Sequence, residues 1–199
     1  MSKQYIISIG REYGSGGHEI GELLAKRFGI DFYDESLLRR ITEEHEISLE
    51  DAEKLDEKPK SVVFSRTVRG YTSSSEDNFA YLEFATMKKI ADEGKSFVII
   101  GRCGEDVLKD YEGLISMFIV GDTESRVERI MERRDVERRE AEMLVKETDR
   151  RRKVYHNYHC QSKWGDTRTY DLTINSTRLG IEGTVNILED YIKTRIENN

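Results

Sequence analysis

The sequence predicts an α/β fold of three layers, a five-stranded parallel sheet flanked by helices. Three observations predict it: five short apolar runs, helical periodicity between them, and a glycine-rich loop where the first run meets the first helix. The runs cover residues 5–9, 30–33, 96–100, 115–120 and 170–174, bounded by Gly, Asp or Lys as strands buried on both faces are. Helical patterns fill the intervals, near 16–28, 35–45, 48–58, 76–93, 105–109, 123–134, 137–160 and 180–196. Asp122 or Thr123, and Ser48, fit helix N-caps, and the only proline, Pro59, helps to end the third helix. Residues 60–77, with Arg69-Gly70 and Ser73 to Ser75, carry loop signals. Ligands of such sheets sit beyond the carboxyl ends of the strands.

The first strand runs as Tyr5-Ile-Ile-Ser-Ile-Gly-Arg-Glu-Tyr-Gly-Ser-Gly-Gly-His-Glu-Ile-Gly21 into the first helix. Small residues let consecutive N–H groups turn inward, and the helix start near Gly17 adds its positive dipole end, so an anion can bind there. Set against the phosphate-loop pattern, Arg11 stands at the first glycine, Gly17 at the lysine and His18 at the hydroxyl. The backbone half of the motif is present and the side-chain half is not. Gly-Ser-Gly-Gly also makes an ordinary tight turn between strand and helix, and the loop alone leaves both readings open.

Composition narrows the class. With 199 residues and 37% hydrophobic content, the chain can bury one good-sized core, and the expectation is a single domain over 1–199. No apolar stretch approaches membrane-spanning length and residues 1–4 lead straight into a strand, so a cytoplasmic protein without a membrane role is expected. Cys103 and Cys160 form no paired framework, as in a reducing compartment. The net charge of −7 argues against nucleic-acid binding. The charge is uneven, however: residues 126–153 hold eleven Lys/Arg and eight Asp/Glu. That local excess suits an anionic small ligand, while alternating signs on long helices are also an ordinary solvated face.

Polar residues fall at the strand ends. Asp34 follows the second strand and can orient a hydroxyl, accept its proton, hold a metal-bound water or simply cap a helix. Arg102, after the third, can reach a phosphate as a bidentate fork or pair with nearby acids. His156, His159 and Cys160 sit on one predicted helix, with Cys103 elsewhere, so a zinc site is conceivable beside a reading as packing with Tyr155, Tyr158 and Trp164. Residues 65–71 can clamp a base or phosphate, or form a solvated loop.

Several motifs in order carry a resemblance. Gly10-Arg-Glu-Tyr-Gly-Ser-Gly-Gly17, Phe32-Tyr-Asp34, Gly101-Arg-Cys103, Arg133-Arg134, Asp149 through Arg152, Trp164-Gly-Asp166 and Tyr170-Asp-Leu172 span nearly the whole chain. Together they resemble bacterial cytidylate kinases and, more closely, the cytidylate-kinase-like family. The resemblance implies a P-loop nucleotide-kinase fold with a helical lid near 131–150 and an acceptor-binding insertion near 35–78. It implies that Gly14, Ser15, Gly16, Gly17 and His18 surround donor phosphates, with Arg133 and Arg134 opening the lid. It places Arg40, Arg102 and Asp34 toward the acceptor, and Asp149 and Arg152 beside the acceptor or transferring phosphate. Cys103 stands where the related kinases carry an aspartate, which leaves Glu105 or Asp106 to substitute.

Phosphoryl transfer needs alignment and charge neutralisation more than covalent help. If the chain is a kinase, as the resemblance implies, then with no lysine at Gly17 the cation must come from Arg11, Arg102, Arg150 or Arg152, and Mg²⁺ must be held by water, Asp34, Ser15 or Glu19. The expected activity is transfer of the ATP γ-phosphoryl, with Mg²⁺, to a CMP-like acceptor, with Arg11, Asp34, Arg102, Asp149 and Arg152 as the catalytic set. Two alternatives stand beside it, a nucleotide-binding sensory module that lost the chemistry and a kinase of another small metabolite. Tyrosine-rich surfaces are compatible with a homodimer.

Overall fold

The computed structural model describes residues 3–36 and 75–198. Arg40, Ser48, Pro59, the helix expected at 48–58, most of that at 35–45 and residues 65–71 lie outside the described residues. Five strands form one sheet: β1 (Ile6–Arg11), β2 (Asp31–Tyr33), β3 (Phe97–Ile100), β4 (Leu114–Val120) and β5 (Leu172–Asn175). Their order is β2-β3-β1-β4-β5 and every neighbouring pair is parallel. The helices are α1 (Gly17–Phe28), α2 (Ser75–Asp92), α3 (Gly104–Val107), α4 (Thr123–Arg134), α5 (Arg138–His159) and α6 (Ser176–Glu197).

Alternation along the strands divides the core. Ile7, Ile9, Val98, Ile100, Ile115, Met117 and Ile119 pack with Ile20 and Leu24 of α1 and Val185, Leu188 and Ile192 of α6. Ile6, Phe97 and Ile99 face the other way, against Met87 and Ala91 of α2 and Leu108. The sheet is therefore covered on both faces, which is why its strands read as continuous apolar runs. Beyond it, α4 and α5 pack on each other through Val127, Ile130, Ala141 and Val145. Asp135 joins the pair in the left-handed conformation, at φ 53°.

β1 lies between β3 and β4; its connection to β2 runs to one side and the connection from β3 to β4 crosses to the other, which opens a crevice at its carboxyl end. The glycine loop sits there.

Two element boundaries and one cap differ from expectation. β5 begins at Leu172 rather than 170, because Tyr170 turns its ring onto Phe118, 4.9 Å away. α6 is helical from Ser176, capped by Asn175 Oδ1 accepting from Thr177 N–H at 3.0 Å, and breaks at Gly180, where the expected helix began. Asp122 holds the N-cap position of α4 without a side-chain cap bond, since its carboxylate takes Asn175 Nδ2 at 2.8 Å and Arg178 at 3.2 Å.

Ile119 is fully buried at the centre of the larger core cluster. Ile119→Ala should cost about 2–5 kcal/mol of unfolding free energy, read as a lower urea midpoint.

Candidate active site

The loop from Gly10 to Gly17 is held by the protein on every side. Tyr13 N–H donates to Asp149 Oδ1 at 2.7 Å, and Arg126 Nη1 donates to Asp149 Oδ2 at 2.6 Å and to the Tyr13 carbonyl at 3.2 Å. Gly121 N–H donates to the Glu12 carboxylate at 3.0 Å, and Ser176 Oγ donates to the Ser15 carbonyl at 2.5 Å. Ser15 is buried and its hydroxyl donates to the Glu12 carbonyl at 2.9 Å, so it offers the loop cavity no side chain. Gly16 adopts φ 79°, and a Cβ there would lie 2.3 Å from Ile181 Cδ1 and 2.7 Å from Arg129 Nη1. The left-handed conformation favours glycine at that position, and a side chain there would push Ile181 and Arg129 aside. The first-turn N–H groups of α1 that follow, from Gly17 and His18, have no helical acceptor, as at any helix start.

Two cavities open around this loop. One, of about 610 Å³, is lined by Gly14, Gly16, Gly17, His18 and Glu19 with Arg129, Arg133 and Arg134 from α4. The other, of about 530 Å³, lies beyond the ends of β1 and β3 and is lined by Glu35, Arg102, Glu105, Arg151, Tyr155, His156, Trp164 and Tyr170. Arg11 and Arg152 line both. Arg129 belongs to the first cavity although the sequence reading did not single it out. Its signal was its position four residues before Arg133, on the same helical face.

Arg11 ends β1 with its guanidinium passing over Gly101, whose Cβ, if present, would fall 1.9 Å from Nη1. Its Nε is buried without a hydrogen-bond partner among the described residues. Burial first, and then repulsion from Arg152 and Arg102, push its pKa down to about 9 against the pull of Glu35 and Asp34. Arg152 donates to the Arg11 carbonyl at 3.2 Å and lies over the Tyr13 ring, 5.5 Å from its centroid. Burial lowers its pKa too, opposed by Asp149. Two guanidiniums with depressed pKa values therefore converge on one crevice.

The remaining expected residues are placed as follows. Asp34 faces His18, Oδ2 to Nε2 at 3.1 Å, and accepts from Ser36 Oγ at 2.7 Å. Arg102 pairs with the buried Glu83, with Glu35 at 3.2 Å, and stacks over Tyr155 at 4.4 Å. Burial works against its charge, but Tyr155, Glu83 and Glu35 outweigh it and raise its pKa. Much of its charge is thus already answered by protein carboxylates. Asp149 has both oxygens engaged in bracing the loop. Arg150 is exposed and lines neither cavity.

At the edge of the second cavity Glu105 meets His156, and the Tyr170 hydroxyl lies 3.4 Å from Glu105 Oε1. Burial opposes the His156 charge, yet Cys160 and Glu105 raise its pKa to about 10. Of the residues read as a conceivable zinc set, Cys103 and Cys160 pack together in one buried cluster. His159 instead packs against the rings of Phe84, Tyr155 and Tyr158.

Comparison with known proteins agrees with this architecture. The cytidylate kinase-like family profile matches residues 6–178. A cytidylate kinase of Methanococcus vannielii is 25% identical over 193 residues, covering 94% of this chain and 99% of that one. The solved structure of an uncharacterised protein from Eubacterium ventriosum is 35% identical, with a TM-score of 0.79, over 96% of this chain and 99% of its own. A shikimate kinase from Bacteroides thetaiotaomicron shares the fold at 15% identity and a TM-score of 0.54, over 95% and 98% of the two chains. No helix among the described residues is long and apolar enough to cross a membrane.

The depressed Arg11 value makes stability and anion binding opposed. Above about pH 9, and until the unfolded guanidinium itself titrates, the unfolded chain holds more protons on this residue than the folded one. The fold therefore carries the whole penalty at neutral pH and sheds it only as pH rises through that window. Arg11→Met should raise the melting temperature of the ligand-free protein at pH 7. Inorganic triphosphate should raise the melting temperature of the wild type by about several degrees and that of Arg11→Met not at all, both followed by calorimetry. Equal stabilisation of both proteins by triphosphate would contradict the assignment.

Proposed function

The chain belongs to the cytidylate kinase-like family, and from that premise we propose that it transfers the γ-phosphoryl of ATP to a nucleoside monophosphate of the CMP type. The observation that carries the proposal is that the loop cavity and the neighbouring cavity meet at Arg11 and Arg152. A donor in the first and an acceptor in the second would join where two cations already converge.

The donor fits the loop chemically. Glycine backbone, the α1 terminus and Arg129, Arg133 and Arg134 offer N–H donors and positive charge to a polyphosphate. An acceptor phosphate oxygen attacks the γ-phosphorus as the bond to the bridging oxygen breaks, and ADP leaves. Arg11 and Arg152 neutralise the charge spread over the transferring oxygens, the part that a loop lysine would share. Arg102, held by Glu83 and Glu35, shapes the acceptor side and would bind phosphate only by exchanging a carboxylate for it.

Mg²⁺ requires hard oxygen ligands and keeps several waters. Asp34, beside His18, and Glu19, on the cavity wall, supply such carboxylates and would hold the ion, whereas Ser15 is turned into the fold. When bound, the ion neutralises β- and γ-phosphate charge. His18, in the position where a hydroxyl is usual, fixes the orientation of Asp34.

ADP production from ATP and Mg²⁺ in a coupled assay should depend on an added nucleoside monophosphate, with CMP the preferred one in a panel. Arg152→Ala should lower kcat on the order of 10²–10³-fold while the protein remains folded. Nucleotide binding with no ADP formed from any acceptor would identify a binding module instead.

A further inference from the structure

We propose that Glu105, His156 and Cys160 form a binding site for one Zn²⁺ ion. One ligand atom from each, an oxygen, a nitrogen and a sulfur, lie within 4.8 Å of one another, and all three side chains are buried. The inference stands on these residues alone, whatever the phosphate acceptor is.

The elements explain why three polar groups share a dry place. His156 and Cys160 are four residues apart at the end of α5, on one helical face, and the last turn is locked by Cys160 N–H donating to the His156 carbonyl at 2.8 Å. Glu105 comes from α3, entered through Arg102 and Cys103 in the left-handed conformation, which directs the carboxylate onto α5. A shared proton satisfies only the contact between Glu105 and His156 Nε2.

The ligand set selects the metal. Thiolate with imidazole and carboxylate suits zinc, which binds each at about 2.0–2.3 Å, whereas Mg²⁺ avoids sulfur. Admitting such an ion takes the Glu105–His156 contact apart, a side-chain movement on the order of an ångström. Binding displaces the proton between Glu105 and His156 and the thiol proton of Cys160, both released to solvent. The Tyr170 hydroxyl, 3.4 Å from Glu105 Oε1, is an outer contact that orients the carboxylate. Three protein ligands leave a fourth position, as in zinc sites that bind water or a substrate atom. Glu105 and His156 line the 530 Å³ cavity and Cys160 does not, so that position opens toward the cavity.

The test uses the whole chain, stripped with a chelator and then titrated with Zn²⁺ or Co²⁺. Zn²⁺ should remain at one equivalent through gel filtration, unaffected by millimolar Mg²⁺, and Co²⁺ should produce a thiolate charge-transfer absorption. Cys160→Ser should remove that absorption and weaken zinc binding by about tenfold or more, while His159→Ala retains both. Failure of the wild-type protein to retain zinc, or a cobalt spectrum that lacks the thiolate band, would overturn the site even if Cys160→Ser does not fold. Kinase turnover is not part of this readout, so loss of the proposed activity and loss of the zinc site are told apart.

Discussion

The carboxylate of Asp149 is the joint on which the site depends. One oxygen takes the Tyr13 N–H and the other takes Arg126, so a single buried-side residue ties the glycine loop, α4 and α5 together. Charge-assisted bonds of this kind are stronger than neutral ones, and both carboxylate oxygens are satisfied, which makes its partial burial tolerable. Arg152 lies three residues further along α5 and therefore projects from nearly the same face. Bracing the loop and delivering Arg152 to the Arg11 carbonyl are consequences of one geometry.

That geometry accounts for how a lysine-free loop can face a polyphosphate. Gly17 leaves no ammonium, and a Cβ at that position would already lie 2.6 Å from the Arg11 Cβ. In the proposed reaction the cation would come instead from the strand, through Arg11, and from the helix, through Arg152. Two like charges near one another cost the fold stability, and under the proposed function an anion entering between them would relieve that cost. Arg102 is a contrast, since Glu83 and Glu35 already answer much of its charge.

What was legible in the sequence was local. Five apolar runs, the helix periods and the glycine spacing each depend on a few consecutive residues, and the described sheet and helices follow them. Arg11 could be marked because it interrupts a recognisable spacing, and Asp149 and Arg152 because of their place in an ordered series of motifs. Partners across the fold were not legible. Nothing near Arg102 in sequence announces Glu83 as its counter-ion, nor does anything near Glu105 announce His156, 51 residues away. Ser15 reads as a phosphate-facing residue until the Glu12 carbonyl is seen to take its hydroxyl. Arg129 was hidden among eleven basic residues between 126 and 153, since its position over Gly16 depends on how α4 crosses the loop.

The central claim, that two cavities form one reaction path joined at Arg11 and Arg152, is tested most directly by a crystal structure with a bisubstrate ligand in which adenosine and cytidine are linked by a chain of phosphates. The account predicts the adenosine end in the loop cavity, the cytidine end in the cavity beneath Trp164 and Tyr155, and the bridging phosphates against both guanidiniums. A ligand confined to one cavity, or phosphates running clear of Arg11 and Arg152, would contradict it.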